Sequence, residues 1–135
     1  MTTLSQANEA VMTRFLTNWG TTTPVVLDNE NPINQPTLPW VRAVIRGLEN
    51  EQETLGTVGN RRFLRRAMLM IQVFTSLNIG SEAADLLVTT ARNIFEGARF
   101  SGIWFFHGDV IPIGVTEDGV YQVNLEMKFN YEEVK

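Results

Sequence analysis

Residues 121–131 alternate without a break. Tyr121, Val123, Leu125, Met127, Phe129 and Tyr131 are apolar or aromatic, and Gln122, Asn124, Glu126, Lys128 and Asn130 between them are polar. A period of two over that length predicts a β-strand with one buried and one wet face, as in an antiparallel sheet. Residues 4–19 follow the other period. Leu4, Ala7, Val11, Met12, Phe15, Leu16 and Trp19 recur at helical spacing, and Gly20 with its threonines ends the run. A second helix is predicted from Ser81 as N-cap, with Glu82 and Asp85 in the first turn, where the helix dipole favours acids. Ala83, Leu87, Ala91, Ile94 and Ala98 give it an apolar face ending near Gly97.

The remaining segments read as strands and turns. Pro24–Leu27 is a short strand leading into a loop punctuated by Pro32, Pro36 and Pro39. Trp40–Leu48 is a β-rich run, "ENEQETLGTVGN" a polar loop, and Arg61–Thr75 a strand whose Phe63, Ala67, Leu69, Ile71 and Val73 share one face. "GIWFF" is a further short strand, and "DVIPIGVT" and "VYQVNLEMKFNYEE" form a hairpin turning at Asp118-Gly119. The order is helix, three strands, helix, three strands. That order predicts an α+β fold, with a mixed or antiparallel sheet and two main helices packed on it, as one domain over residues 1–135.

A register follows if Gly56-Thr57-Val58 tips the hairpin between the two runs. Val41 then faces Val73, Ala43 faces Ile71 and Ile45 faces Leu69. Glu49 falls opposite Arg65 and Glu53 opposite Arg61; a slip of one residue sets Glu49 against Arg66 and Glu53 against Arg62. The charge match survives either register. Fully extended, Arg61–Phe74 would span about 46 Å at about 3.3 Å per residue, so the hairpin is predicted to project beyond the domain. The other face of these strands carries Trp40, Val44, Leu48, Met68, Met70 and Phe74. With both faces apolar, one is left for another layer or another subunit.

Charge sharpens this picture. Arg61, Arg62, Arg65 and Arg66 are four of nine arginines, yet the chain has 15 acids against 11 bases and a net charge of −4. A net acidic chain leans against a main task of gripping phosphates. The arginines therefore read as a solvated, edge-protecting cluster, as a subunit contact with the acids Glu49, Glu51 and Glu53 close by, or, least favoured, as a nucleic-acid arm. The absence of cysteine removes disulfides and thiol chemistry. No signal-like or bilayer-length apolar run occurs, so a cytoplasmic product without membrane contact is expected.

Candidate chemistry is sparse. His107 and Asp109 in "FFHGD" form an isolated pair, read as a turn. "TEDG" is a turn without the spaced oxygens of a calcium loop. The sequence contains no phosphate-binding, dinucleotide, zinc-protease or nucleophile-elbow motif. No catalytic residue, cofactor or metal is expected, and the chain is read as a non-enzyme.

Several segments together resemble a family. "TPVVLDN", a proline-rich loop with "PWVRAVI", "GNRRFLRRAMLMIQVF", a "GSEAADLL" helix and "GVYQVNLEMKFNYEE" occur in the order seen in tail terminator-like proteins of tailed bacteriophages and prophages. The resemblance covers essentially the whole chain. It implies a structural virion protein, similar to the lambda-type terminator. Such a protein would cap the finished tail tube as a homo-hexameric ring, stop tube polymerisation and offer the surface that joins the head connector. The implied partners are further copies of the chain, the tail tube protein and the head-tail connector, with DNA only passing through the ring. The implied location is the virion tail, reached from the host cytoplasm. Arg61, Arg62, Arg65 and Arg66 match the family's arginine-rich run. A ring needs two unlike patches; the candidates are the hairpin with Glu49, Glu51, Glu53 and the arginines, and the polar face Gln122, Asn124, Glu126 and Lys128. A head-tail connector or neck protein, or a small nucleic-acid-binding module using Arg61–Arg66, are the alternatives.

Overall fold

The computed structural model describes residues 2–27, 36–78 and 80–135; Pro32 and most of its loop lie outside them. Helix α1 (Leu4–Trp19) begins in a capping box, with the Thr3 hydroxyl accepting from the Gln6 amide and the Gln6 side chain from the Thr3 amide. It stops at Gly20, whose positive φ of 59° suits a residue without a Cβ. Strands β1 (Val25–Leu27), β2 (Trp40–Gln52) and β3 (Arg62–Thr75) follow, then α2 (Glu82–Phe95), β4 (Arg99–Phe100), β5 (Ile103–Val115) and β6 (Tyr121–Val134). They form one six-stranded sheet in the order β1-β2-β3-β6-β5-β4. Among the described residues only the β1–β2 pair is parallel. The fold is α+β, a mixed sheet with two helices on it.

One face of the sheet makes the core. The odd positions of β3 (Ala67, Leu69, Ile71, Val73) and of β6 (Val123, Leu125, Met127, Phe129, Tyr131) are buried. They lie beneath Ala7, Val11, Phe15 and Trp19 of α1 and Ala84, Val88, Ala91 and Phe95 of α2. A relay of rings binds the layers, with Phe95 4.8 Å from Phe105 and Phe105 4.8 Å from Phe129. Such tilted or offset pairs add modestly to their area burial.

Several details differ from the sequence expectations. The buried stripe of α2 is turned by one residue from Ala83, Leu87 and Ala98, because Phe95 must reach the ring relay. Leu4 and Leu16 are exposed, since α1 packs on its narrower Ala7–Trp19 stripe. Ser81 precedes α2 in a helical conformation and makes no side-chain cap. "GIWFF" and "DVIPIGVT" are a single strand, β5, which a bulge at Phe106-His107 bends but does not break. His107 therefore sits in a strand, exposed, 3.5 Å from Asp109. "ENEQ" is strand too, because β2 continues to Gln52.

The register between β2 and β3 is as predicted over its apolar half. Val41 faces Val73, Ala43 faces Ile71 and Ile45 faces Leu69. It then shifts. Gly47 still faces Ala67, but Asn50, not Glu49, faces Arg65. Two residues, Leu48 and Glu49, therefore stand against the single Arg66, which is a β-bulge. Beyond it the one-residue slip holds, and the Glu53 amide donates to the Arg62 carbonyl at 2.8 Å.

Candidate interaction surfaces

The hairpin does not project alone. β6 follows β3 to its first residue, pairing Val134 with Arg62, and the Lys135 amide donates to the Arg61 carbonyl at 2.9 Å. β5 pairs with β6 only as far as Tyr131. Residues 50–53, 61–66 and 131–135 thus form a three-stranded arm, closed at its tip by a turn from Thr57 to Asn60. Leu55 and Val58 at the tip are 92% and 84% exposed.

The strand period sorts the arm into two faces. On the face continuous with the core lie Arg61 just before β3, Phe63 and Arg65 of β3, Glu133 of β6 with Lys135 just beyond it, and Asn50 and Gln52 of β2. Arg65 grips Glu133 through Nε at 3.1 Å and Nη2 at 2.9 Å, with the two side chains only 21% and 18% exposed. The Phe63 ring is surrounded by cations. Arg65 lies 5.0 Å, Lys135 5.6 Å and Arg61 5.9 Å from its centroid. Each is within cation–π range of the ring. Three cations there meet one side-chain carboxylate.

The opposite face carries Glu51, Glu53, Arg62, Leu64, Arg66 and Glu132. Arg66 Nη2 lies 2.7 Å from Glu51 Oε2, and Arg62 Nη1 lies 4.0 Å from Glu132 Oε2. Local desolvation, then the neighbouring Glu132 carboxylate, raise the Glu53 carboxyl above its usual range against the pull of Arg62. At so open a side chain the like charge is the cause with physical weight. Acids outnumber bases on this side.

Each expected site residue has a place in this geometry. Arg61, Arg62, Arg65 and Arg66 are on the arm, but alternate between its faces. Glu51 and Glu53 share the acidic face. Glu49 sits in the bulge, and Glu133 rather than Glu49 partners Arg65 because the bulge carries Glu49 past it. Glu132, Glu133 and Lys135 are the partners that the pairing of β2 with β3 alone did not bring in; the alternation of "FNYEEVK" already put them on opposite faces.

Gln122, Asn124, Glu126 and Lys128 are in mid-sheet, on the face without helices. They lie beside Met68, Met70, Gln72 and Phe74 of β3. Trp40 stacks on Phe74 at 4.3 Å and is buried, while Arg42 lies 5.8 Å from the Trp40 ring. Gln122 donates to Asn124 at 2.8 Å. The sheet curls enough for Leu48 on β2 and Phe106 on β5 to line one open depression with Arg66, Lys128 and Asn130. Among the described residues no helix is long and apolar enough to cross a membrane, and no group of three or more His, Cys, Asp or Glu is placed to hold a metal.

No protein-family model matches this sequence, and no curated protein matches it. A solved structure of a protein designated only by a serial number superposes with a TM-score of 0.64 over 95% of this chain and 97% of its own, at 15% identity. The two chains share a fold along nearly their whole lengths.

Proposed function

We propose that the protein is a structural tail component of a tailed bacteriophage or prophage, a terminator-like subunit that closes the tail tube as a ring. The observation that carries this reading is what remains once the core is built. One surface is an open sheet face with Met68, Met70, Phe74 and the polar side chains of β6; the other is a charged arm at the far end of the same strands. Two unlike surfaces on one subunit are what a head-to-tail ring requires, and repeated head-to-tail contact closes a ring without symmetry inside the subunit. The sequence resemblance supplies the tail.

The arginines support a structural role over phosphate gripping. Arg62, Arg65 and Arg66 each have a carboxylate of their own chain within 4.0 Å. Cations so occupied release fewer counterions to a nucleic acid. The test is negative-stain imaging and native mass spectrometry of concentrated protein, with and without purified tail tubes. Six-fold rings, and tubes that stop growing once capped, are expected. A strict monomer that leaves tubes growing overturns the proposal. A head-tail connector would instead bind the portal end and leave tube length unchanged.

A further inference from the structure

We infer that the arm is itself a self-association element, in which the basic face of one copy receives the acidic face of the same arm on the next. This rests on the ring reading and adds to it a contact between neighbouring arms.

The bulge at Leu48-Glu49 is the device that makes the two faces unlike. Had the register of the apolar half continued, Glu51 would stand opposite Phe63 and Glu53 opposite Arg61, on the face of Arg61, Arg65 and Lys135. The acids would then neutralise the cations locally. The single extra residue moves every later side chain of β2 to the other side of the sheet. As observed, Asn50 faces Arg65, Gln52 faces Phe63 and Glu51 faces Leu64. The neutral amides join the cations, and the acids leave for the opposite face.

Each face thereby keeps a net charge of opposite sign around an apolar centre, three cations to the one carboxylate of Glu133 on one side and three acids to Arg62 and Arg66 on the other. Phe63 among Arg61, Arg65 and Lys135 is one centre; Leu64 among Glu51, Glu53 and Glu132 is the other. A second copy of this chain is the partner whose charge and size match by construction, since it carries the complementary face on the same element. Face-to-back packing is also heterologous, so it repeats from copy to copy instead of saturating as a two-fold dimer, as a ring contact must. Three strands about 4.8 Å apart and five residues long give only a few hundred Å² per face, well below the ~800 Å² per partner of a stable complex. The arm contact therefore sets orientation and register, is weakened by salt, and depends on the rest of the ring for strength.

The chain has no cysteine, which makes the test clean. Glu51 and Lys135 lie on opposite faces, with β3 between their strands. A Glu51→Cys, Lys135→Cys double variant therefore cannot form a disulfide within one chain. Under mild oxidation it is expected to give a ladder beyond dimer, whereas either single variant stops at dimer. Independently, Arg61→Glu with Lys135→Glu, and Glu51→Lys with Glu53→Lys, should each lower ring formation by about tenfold or more, and an equal mixture should restore it. All four positions are at the surface, and circular dichroism verifies the folds. Rings that form without a ladder and tolerate both charge reversals overturn the arm contact while leaving the ring. A wild-type strict monomer, with no ladder, overturns both. A missing ladder, together with a salt-dependent duplex-DNA shift lost in Arg61→Glu with Lys135→Glu, reassigns the basic face to nucleic acid.

Discussion

The same three strands pass through two regions built on different physics. Beneath the helices, Leu69, Ile71 and Val73 of β3 are fully buried, and Leu125, Met127 and Phe129 beside them share their layer. In the arm, the same alternation brings up Arg61, Phe63 and Arg65 against Glu133 and Lys135. The β3–β6 ladder is continuous across both, and the β2–β3 ladder resumes past its one bulge, so hydrogen bonding does not distinguish them. Burial does, and its loss past Ala67 frees the arm to carry a charge pattern that the core half could not tolerate.

The comparison can be broken most forcefully in the core. Phe129→Ala removes a fully buried ring that meets Phe105 at 4.8 Å and Tyr131 at 6.4 Å. It should cost about 3–5 kcal/mol by urea unfolding, from lost transfer free energy and the cavity left behind. Phe63→Ala in the arm should cost about 1 kcal/mol or less, because that ring is only half-buried. Equal costs would mean that the arm is a second core.

A middle case sits at the boundary. Glu133 is the carboxylate for Arg65, in a cleft shared with Leu4 and Asn8 of α1. Glu133→Gln should cost about 1–2 kcal/mol, since the remaining cation keeps little water and loses a charge-assisted partner. Faster amide exchange should follow in residues 131–134 while residues 123–127 stay protected. A change spread evenly along β6 would show that arm and core unfold together.

How much of this was legible in the sequence depended on which interactions set the register. Val41, Ala43 and Ile45 met Val73, Ile71 and Leu69 as expected, because a slip of one residue would turn the apolar side chains of β2 off the buried face and the turn at Gly56-Thr57-Val58 limits larger slips. The charged half was not so determined. Glu49 and Glu53 matched arginines in either of two registers, and only the chain's path through the bulge chose between them. The place of β6 in the arm has no such signal. Its period was plain, yet nothing in a single strand says that its neighbour is β3 rather than its hairpin partner alone. In α2, Phe95 overrode the Ala83–Leu87 stripe because one large ring outweighs several small residues in deciding which side is buried. Gln122, Asn124, Glu126 and Lys128 share one polar face, as the alternation of β6 implies, and because β6 lies in mid-sheet that face continues onto β3.

Alkaline pH gives a milder probe of the same boundary. Burial, then the Glu133 carboxylate, hold the Tyr131 phenol above its ordinary value of 10.0, against the pull of Arg65. With the folded pKa above the unfolded one, the neutral phenol's contribution is complete below pH about 10 and is lost as pH rises through the folded value. Stability measured by urea should therefore fall on the alkaline side, and Tyr131→Phe should lessen that fall. The ionisation is read directly as a late component of absorbance at alkaline pH that Tyr131→Phe removes. Glu133→Gln in the chain that keeps Tyr131 separates the two causes, because only the carboxylate's share disappears.

The smallest effect is expected on the acidic face of the arm. Arg66 and Glu51 approach to 2.7 Å, but their side chains are 37% and 59% exposed. An open pair of this kind contributes about 0–1 kcal/mol, as Coulomb attraction in water is offset by side-chain ordering. Glu51→Gln should leave the urea midpoint of the isolated subunit nearly unmoved at low and high salt alike. The same variant removes one of the three acids that the inferred contact offers to a neighbour, so ring formation should weaken even where the monomer does not. The two readouts together separate a charge that holds the arm from one that faces outward. A midpoint shift as large as that of Glu133→Gln would place Glu51 among the groups that build the arm, and would leave the acidic face with less to present to another copy.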